Sequence, residues 1–362
     1  MKRKNGKRTK RRAGQVLLRL CTAFLLLLTA AVIAGGLFVR ANFDLTMPAA
    51  LLEMPTVGAP PVLTAYRFTD RANRTGTAEV LTEGVPQARE GGYVPYADLP
   101  EALIHAFVAI EDKRFEEHRG VDWIRTAAAC LSCLKGGKNR FGASTITQQT
   151  VKNLTGDSEV TLRRKLQEIL YARDMERKLD KSEIMELYVN IIPFANGCTG
   201  VGQAAELYYR KKPAELTTAE CAAVAAITNN PTYYNPLTHP EHTLARRNLI
   251  LSEMCAQGYL SEADCAAAQA EPLGLADREE KGSGTVYSWY TDMVLEDVIA
   301  DLAAKEDISR AAASAKILGG GVRIETAMNP DVQKIVEDYY RSEVRTPQNK
   351  DGTRAQSALI VI

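Results

Sequence analysis

The chain has 362 residues, 46% hydrophobic and 25% charged, which excludes a disordered chain and leaves room for one large or two medium domains. Its net charge of +1 is unevenly divided: residues 1–40 hold ten Lys or Arg and no acid, leaving 35 basic against 44 acidic side chains in residues 41–362. The basic excess belongs to the N-terminus alone, so nucleic acid is not an expected partner.

Lys2, Arg3, Lys4, Lys7, Arg8, Lys10, Arg11 and Arg12 lead into Leu20–Val39, a run of twenty residues without a charge. At ~1.5 Å rise per residue such a helix crosses a ~30 Å hydrocarbon core. The pattern predicts a basic cytoplasmic tail at 1–15, an uncleaved transmembrane signal anchor at 16–40, and everything after Arg40 on the outer face. A cleaved signal peptide is the competing reading, but its apolar region is usually only ~7–15 residues. Of the seven cysteines, Cys130 and Cys133 are the one close pair. Without a matching second pair they do not indicate zinc. They read as two helix-face residues that a disulfide could join in an oxidising compartment.

Residues 41–94 are rich in proline (Pro48, Pro55, Pro60, Pro61 and Pro86) and read as a stalk with a few short strands. A helical domain follows over 95–273. Pro100 suits a first helical position, and Leu103, Ile104, Phe107, Val108 and Ile110 form an apolar stripe at helical spacing. Capping pairs mark later helix starts at Thr145/Gln148, Asp180/Glu183, Thr217/Glu220 and Ser261/Asp264. A long helix is expected over Glu159–Leu179, burying Leu162, Leu166, Ile169 and Leu170. The alanine-rich Cys221–Ile227 reads as a tightly packed central helix.

Beyond 273 the pattern changes. Residues 274–286 read as a linker, Tyr287–Lys305 as a helix, Val322–Thr326 as a strand, Asp331–Val344 as a helix and Ala358–Ile362 as an apolar strand. Because the last strand ends without a turn, residues 274–362 are expected to be a linker and the small α/β start of a further, unfinished domain.

Three features carry chemistry. Glu111 closes the apolar helix, where partial burial beside helix carbonyls would make its carboxylate a better base, while Lys113 and Arg114 push the other way. A surface Glu in a charged turn is the plainer reading. Asp112 suits a loop-positioning role and His118 a hydrogen-bonded structural one. The second feature runs from Gly142 to Asn153. A small-residue turn, the hydroxyls of Ser144, Thr145 and Thr147, the amides Gln148 and Gln149, and Lys152 gather at a helix start, whose free N–H groups attract anions. The P-loop spacing is missing, so a nucleotide is not indicated. Third, Glu168 shares a helix face with Arg164 and Lys165, either as a surface ion-pair face or as a second acid near a leaving diphosphate. A magnesium ion could bridge Glu168 and such a diphosphate, although no cofactor is required.

Taken together, these blocks resemble the peptidoglycan glycosyltransferase domain, family 51 of the glycosyltransferases, found in class A penicillin-binding proteins and monofunctional transglycosylases. The resemblance runs from about Val94 to Leu273. It rests on Glu111-Asp112…Phe115…His118-Arg119-Gly120-Val121-Asp122, Gly142 to Gln149 with Lys152-Asn153, and Arg164-Lys165…Glu168. It continues through Lys181…Ile184…Glu186…Tyr188…Asn190 and Tyr233…Asn235-Pro236…Arg246-Arg247. It implies a mainly α, lysozyme-like fold behind the anchor, with a membrane-proximal lobe that takes up lipid-linked substrate. It also implies polymerisation of lipid II onto a growing glycan strand. Glu111 matches the family's general base and Glu168 its second acid. Ser144, Gln148, Lys152, Arg164 and Lys165 match the donor site. The motif positions Asp112, Phe115, His118, Thr145, Gln149, Asn153 and Asn190 complete the expected substrate-binding set. The bilayer and proteins of cell division or elongation are the implied partners.

The chain departs from the family at Ala143, where a second glycine is usual, and at Arg210 in Tyr208-Tyr209-Arg210-Lys211, where glycine is again usual. Residues 319–362 resemble the entry to a transpeptidase domain. Ser132-Cys133-Leu134-Lys135 matches that domain's Ser-x-x-Lys by chance, and no Lys-Thr-Gly follows, so no penicillin binding is expected of this chain. The rivals are a lysozyme-like hydrolase or lytic transglycosylase, and a non-catalytic membrane-anchored scaffold.

Overall fold

The computed structural model describes residues 2–53, 62–70, 75–80, 92–134, 144–157, 159–276, 286–319, 322–326 and 328–341. Helix α1 (Lys2–Asn42) contains Thr22–Asn42, the one helix among the described residues long and apolar enough to cross a membrane. Phe24, Leu25, Leu26, Leu27, Val32, Ile33, Leu37 and Phe38 are all exposed along it, so no protein core accounts for their apolar character.

The expectation of a mainly α protein holds. Helices α2 (Glu101–Glu111), α3 (Trp123–Leu134), α4 (Ile146–Thr155), α5 (Leu162–Lys178) and α6 (Lys181–Ile191) are followed by α7 (Val201–Tyr209), α8 (Thr218–Ile227), α9 (Pro240–Ala256) and α10 (Glu262–Ala270). Then come α11 (Val286–Glu306), α12 (Arg310–Gly319) and α13 (Pro330–Arg341). Strands β1 (Val62–Asp70), β2 (Thr75–Val80) and β3 (Arg323–Thr326) make one small sheet in the order β2-β1-β3. β1 runs antiparallel to β2, with Thr64 opposite Val80, and parallel to β3, with Val62 opposite Arg323. The segment before the helical domain is thus joined to the segment after it.

The core is organised around α8, in which Ala219 and every residue from Cys221 to Ile227 are buried. Its small side chains let α2 and α9 approach closely, and α2 buries Leu103, Ala106, Phe107, Val108 and Ala109 there. Tyr188 of α6 meets Phe107 edge-on, with ring centroids 5.4 Å apart. The capping pairs at Thr145, Asp180 and Thr217 form as reciprocal boxes, and Ser261 caps α10 through the Asp264 amide. Pro100 is the N-cap of α2, one place before the expected first helical position.

Helix α5 corrects the expected burial. Leu162 and Leu166 are exposed, at 85% and 47%, while Glu168, Ala172, Asp174 and Met175 face inward. An acid can take the inward face here because cations meet it there: Arg164 and Lys165 at Glu168, Lys178 at Asp174. Two segments clasp this region. The Asp44 amide donates to Gln167 Oε1 at 3.1 Å and the Met47 amide to Asp174 Oδ2 at 2.9 Å, which seats the chain leaving α1 on α5. The Ser309 amide donates to the Leu154 carbonyl at 2.9 Å and its hydroxyl to the Asn153 carbonyl at 2.5 Å, closing the C-terminal end of α4. The expected strand at 358–362, the Gly142-Ala143 turn and the side chains of Cys130 and Cys133 lie outside the described residues.

Candidate active site

Glu111 is the last residue of α2, with its side chain 13% exposed. Gln149, one turn into α4, donates Nε2–H to Glu111 Oε2 at 2.9 Å. The other oxygen, Oε1, faces the Arg246 guanidinium at 3.7 Å, too far for a hydrogen bond. One oxygen is therefore fixed and the other, held beside a cation, accepts no hydrogen bond among the described residues, an arrangement suited to accepting a proton. Arg246 in turn lies over the Tyr234 ring at 4.9 Å, and Arg125 of α3 donates to the Glu111 backbone carbonyl. Below them Tyr188 is wholly buried. Burial first, and the nearby Glu111 charge second, hold its hydroxyl far above the ordinary tyrosine value.

The loop after Glu111 is locked from inside. Asp112 is 0% exposed, and its Oδ2 accepts from the Ile146 amide at 3.0 Å and contacts His118 Nε2 at 2.8 Å. The N-terminus of α4, expected to attract a ligand anion, has an internal one instead. Its cap is completed by Thr145, whose Oγ1 accepts from the Gln148 amide and donates to the Gly120 carbonyl at 2.7 Å. Lys181 donates to the His118 carbonyl at 2.9 Å and lies 4.4 Å from the Phe115 ring centroid. Arg114 pairs with Asp122, and Lys113 with Glu253, so neither of these neighbouring cations is directed at Glu111. At Gly120, φ is +86° and a Cβ would lie 2.5 Å from the Ala172 carbonyl oxygen, so only glycine fits where the loop crosses α5.

On the other side of the α4 start, Ser144 accepts from Lys165 Nζ at 2.7 Å. Lys165 also pairs with Glu168 Oε1, while Arg164 binds Glu168 Oε2 at 2.6 Å. Glu168 is 5% exposed, so this is a buried acid between two cations rather than a surface ion-pair face. Lys152 is exposed and sits three residues beyond Gln149, on the same face of α4. Asn153 is half-buried beside it.

The expected residues thus separate into two groups. Glu111, Ser144, Gln149, Lys152, Arg164, Lys165 and Glu168 flank the exposed side of α4. Asp112, Phe115, Thr145 and Gln148 are buried and present no surface to a bound molecule; they shape the wall behind the site. His118, 8% exposed on its side chain, is held by Asp112 and lines a separate cavity of about 360 Å³ with Arg114, Asp122 and Trp123. Asn190 is buried too, exchanging bonds of 2.8 Å with the Val94 amide and carbonyl, so it pins the segment entering the domain. Arg246, Tyr234 and Arg125 escaped residue-by-residue reading. The Arg246-Arg247 pair was the available signal: consecutive helix positions diverge, so Arg246 reaches Glu111 while Arg247 is 0% exposed and donates to the carbonyls of Gln269, Glu271 and Pro272. A magnesium site at Glu168 does not fit the described residues, because both carboxylate oxygens already face cations.

Residues 77–255 match the family model described as transglycosylase. The chain is 34% identical over 271 residues to penicillin-binding protein 1A of Rickettsia prowazekii (strain Madrid E), which covers 74% of this chain and 33% of that protein. It is 38% identical over 248 residues to penicillin-binding protein 1A of Aquifex aeolicus (68% of this chain, 32% of that one). It is 33% identical over 304 residues to penicillin-binding protein 1A/1B of Bacillus subtilis (78% and 32%). The crystal structure of penicillin-binding protein 1A from Haemophilus influenzae aligns at 22% identity with a TM-score of 0.36, covering 70% of this chain and 26% of that one. The chain spans about one third of the length of the curated relatives it matches. It belongs to the transglycosylase family, with residues 77–255 as a peptidoglycan glycosyltransferase domain of the kind carried by class A penicillin-binding proteins.

Proposed function

We propose that the chain is a membrane-anchored glycosyltransferase that polymerises lipid II, with Glu111 as general base. The observation that carries this reading is a carboxylate, Glu111, with one oxygen unbonded among the described residues, and the cations Lys152, Arg164 and Lys165 beside Ser144, on two sides of one helix start. Glu111 Oε1 takes the proton from the acceptor's N-acetylglucosamine 4-hydroxyl. The freed oxygen forms a bond to the anomeric carbon of the donor's N-acetylmuramic acid. The bond from that carbon to the phosphate oxygen breaks, its electron pair leaves with the lipid diphosphate, and attack from the opposite face inverts the α-phosphate into a β-1,4 link. Arg164 and Lys165 against Glu168 leave one net positive charge, and Lys152 adds another, which suits the charge growing on the leaving diphosphate. No step uses a metal.

Membrane placement supports the same reading. The segment leaving α1 is bonded to Gln167 and Asp174. Val160, Leu162 and Leu166, all exposed, lie toward the end of α5 that is nearer the anchor. That apolar strip suits a bilayer surface from which a lipid-linked donor enters, with the basic tail cytoplasmic and the domain outside. The growing glycan strand and proteins of division or elongation are the partners this role would bring.

The decisive experiment supplies labelled lipid II to the purified chain and to Glu111→Gln. A positioned base contributes ~10²–10⁴-fold, so the variant should remain folded and lose chain growth by about that factor. Polymer formed at the native rate would sink the assignment. Shortening of existing strands without consumption of lipid II would mean a hydrolase.

A further inference from the structure

At the start of α9, His239, Glu241 and His242 bring one ligand atom each to within 4.8 Å of one another. His239 Nδ1 lies 3.9 Å and His242 Nε2 3.8 Å from Glu241 Oε1. Both distances are too long for hydrogen bonds, so the groups converge without satisfying each other. These separations exceed by about 0.5 Å the roughly 3.3 Å between neighbouring donors around a tetrahedral ion with bonds of ~2.0–2.1 Å, and the His239 and His242 rings stack at 5.3 Å and 24°, so an ion would close the site by turning the exposed His239 ring.

A second observation lies outside the cluster. His242 Nδ1 is 3.2 Å from the Tyr233 carbonyl, which can only accept, so Nδ1 carries the hydrogen and Nε2 is left with its lone pair toward Glu241. Metal-bound histidines are oriented this way, with the remote ring N–H donated to a carbonyl or carboxylate. Tyr233 also stacks on the His242 ring at 4.1 Å and 15°, which holds the imidazole plane. The side chains are 44%, 65% and 33% exposed in chain order, so an ion can enter and keep a water or other ligand at a fourth position. The amides at a helix start disfavour a cation, and the negative charge of Glu241 opposes that effect.

We propose that His239, Glu241 and His242 form a binding site for a zinc-type divalent transition ion. Two imidazole nitrogens and one carboxylate are donors of intermediate hardness, matched to such an ion rather than to magnesium or calcium. The site is joined to Arg246, and so to Glu111, through Tyr233, which meets Tyr234 edge-on at 4.9 Å, and through Tyr234 beneath Arg246. Occupancy therefore ties the Tyr233–His242 segment, whose Tyr234 ring packs against the Tyr233 and Arg246 side chains. This does not depend on glycosyl transfer, and its test is read separately.

The full chain in detergent, stripped with EDTA, is titrated with zinc chloride by calorimetry and with cobalt(II) by visible absorption. The expected result is one zinc per chain and a tetrahedral cobalt spectrum without a thiolate charge-transfer band. The double variant His239→Gln/His242→Gln should weaken that zinc by at least about ten-fold and abolish the cobalt spectrum, with turnover in zinc-free buffer unchanged. The proposal is overturned if zinc binding survives in the double variant, if the cobalt spectrum carries a thiolate band, or if the native chain binds no zinc.

Discussion

Gln149 holds Glu111 by a single hydrogen bond of 2.9 Å, from the first turn of α4 to the last residue of α2. The bond fixes one carboxylate oxygen and leaves its twin facing Arg246. Hydrogen bonds to charged groups contribute about 1.5–3 kcal/mol. Gln149→Leu should therefore lower kcat on lipid II by roughly ten- to a hundred-fold, and the lost bond should also lower the melting temperature by a few degrees. Steady-state assays of lipid II consumption measure this, and native turnover would show that Glu111 needs no such support.

Gly120 should not tolerate a side chain. A Cβ there meets the Ala172 carbonyl oxygen, and φ of +86° adds backbone strain. Gly120→Ala should cost about 2–4 kcal/mol, read as a fall in melting temperature. It should also reduce turnover, because the displaced loop carries Asp112 and His118. An unchanged melting curve would contradict the close approach to α5.

Arg210 carries the opposite opportunity. It caps α7 in the left-handed region, at φ 54° and ψ 39°, where glycine is the ordinary choice. Its ion pair with Glu206 is solvent-exposed and contributes little. Arg210→Gly should stabilise the domain by about 0.5–1 kcal/mol, after the larger unfolded-state entropy of glycine is subtracted. A lower melting temperature would mean that the arginine makes a compensating contact.

Acid should destabilise the fold through two buried aspartates. Burial raises the Asp122 carboxyl, but the Arg114 hydrogen bond, the Arg125 amide and the Arg114 charge outweigh it and leave it below the ordinary value. At Asp174 burial is likewise outweighed, by Lys178, the Met47 amide and the Arg177 charge. A folded-state value below the unfolded one gives stability that is complete above the unfolded value of ~3.9 and is lost as pH falls through the folded value. Melting temperature should therefore fall steeply only below about pH 4. Asp122→Asn should lower it at pH 7 and flatten that decline. Parallel curves for the variant and the native chain would show that Asp122 contributes nothing to the acid limb.

The helix starts at Thr145, Asp180, Thr217 and Ser261 were legible in the residues alone, because a cap is a contact between residues three apart, and so was the long apolar helix near the N-terminus, because length and apolarity are local properties. The sequence also placed Glu111 at a helix end and grouped Arg164, Lys165 and Glu168 on one face, since helical periodicity needs no partner. Which faces turn inward was set by packing between helices. Leu162 and Leu166 stay outside because α5 spends its inward face on Glu168 and Asp174, each met by a cation. Likewise the start of α4 receives Asp112, 34 residues earlier in the chain, and Glu111 faces Arg246, 135 residues later. Such pairings follow from how helices pack, and the spacing along one helix carries no record of its neighbour.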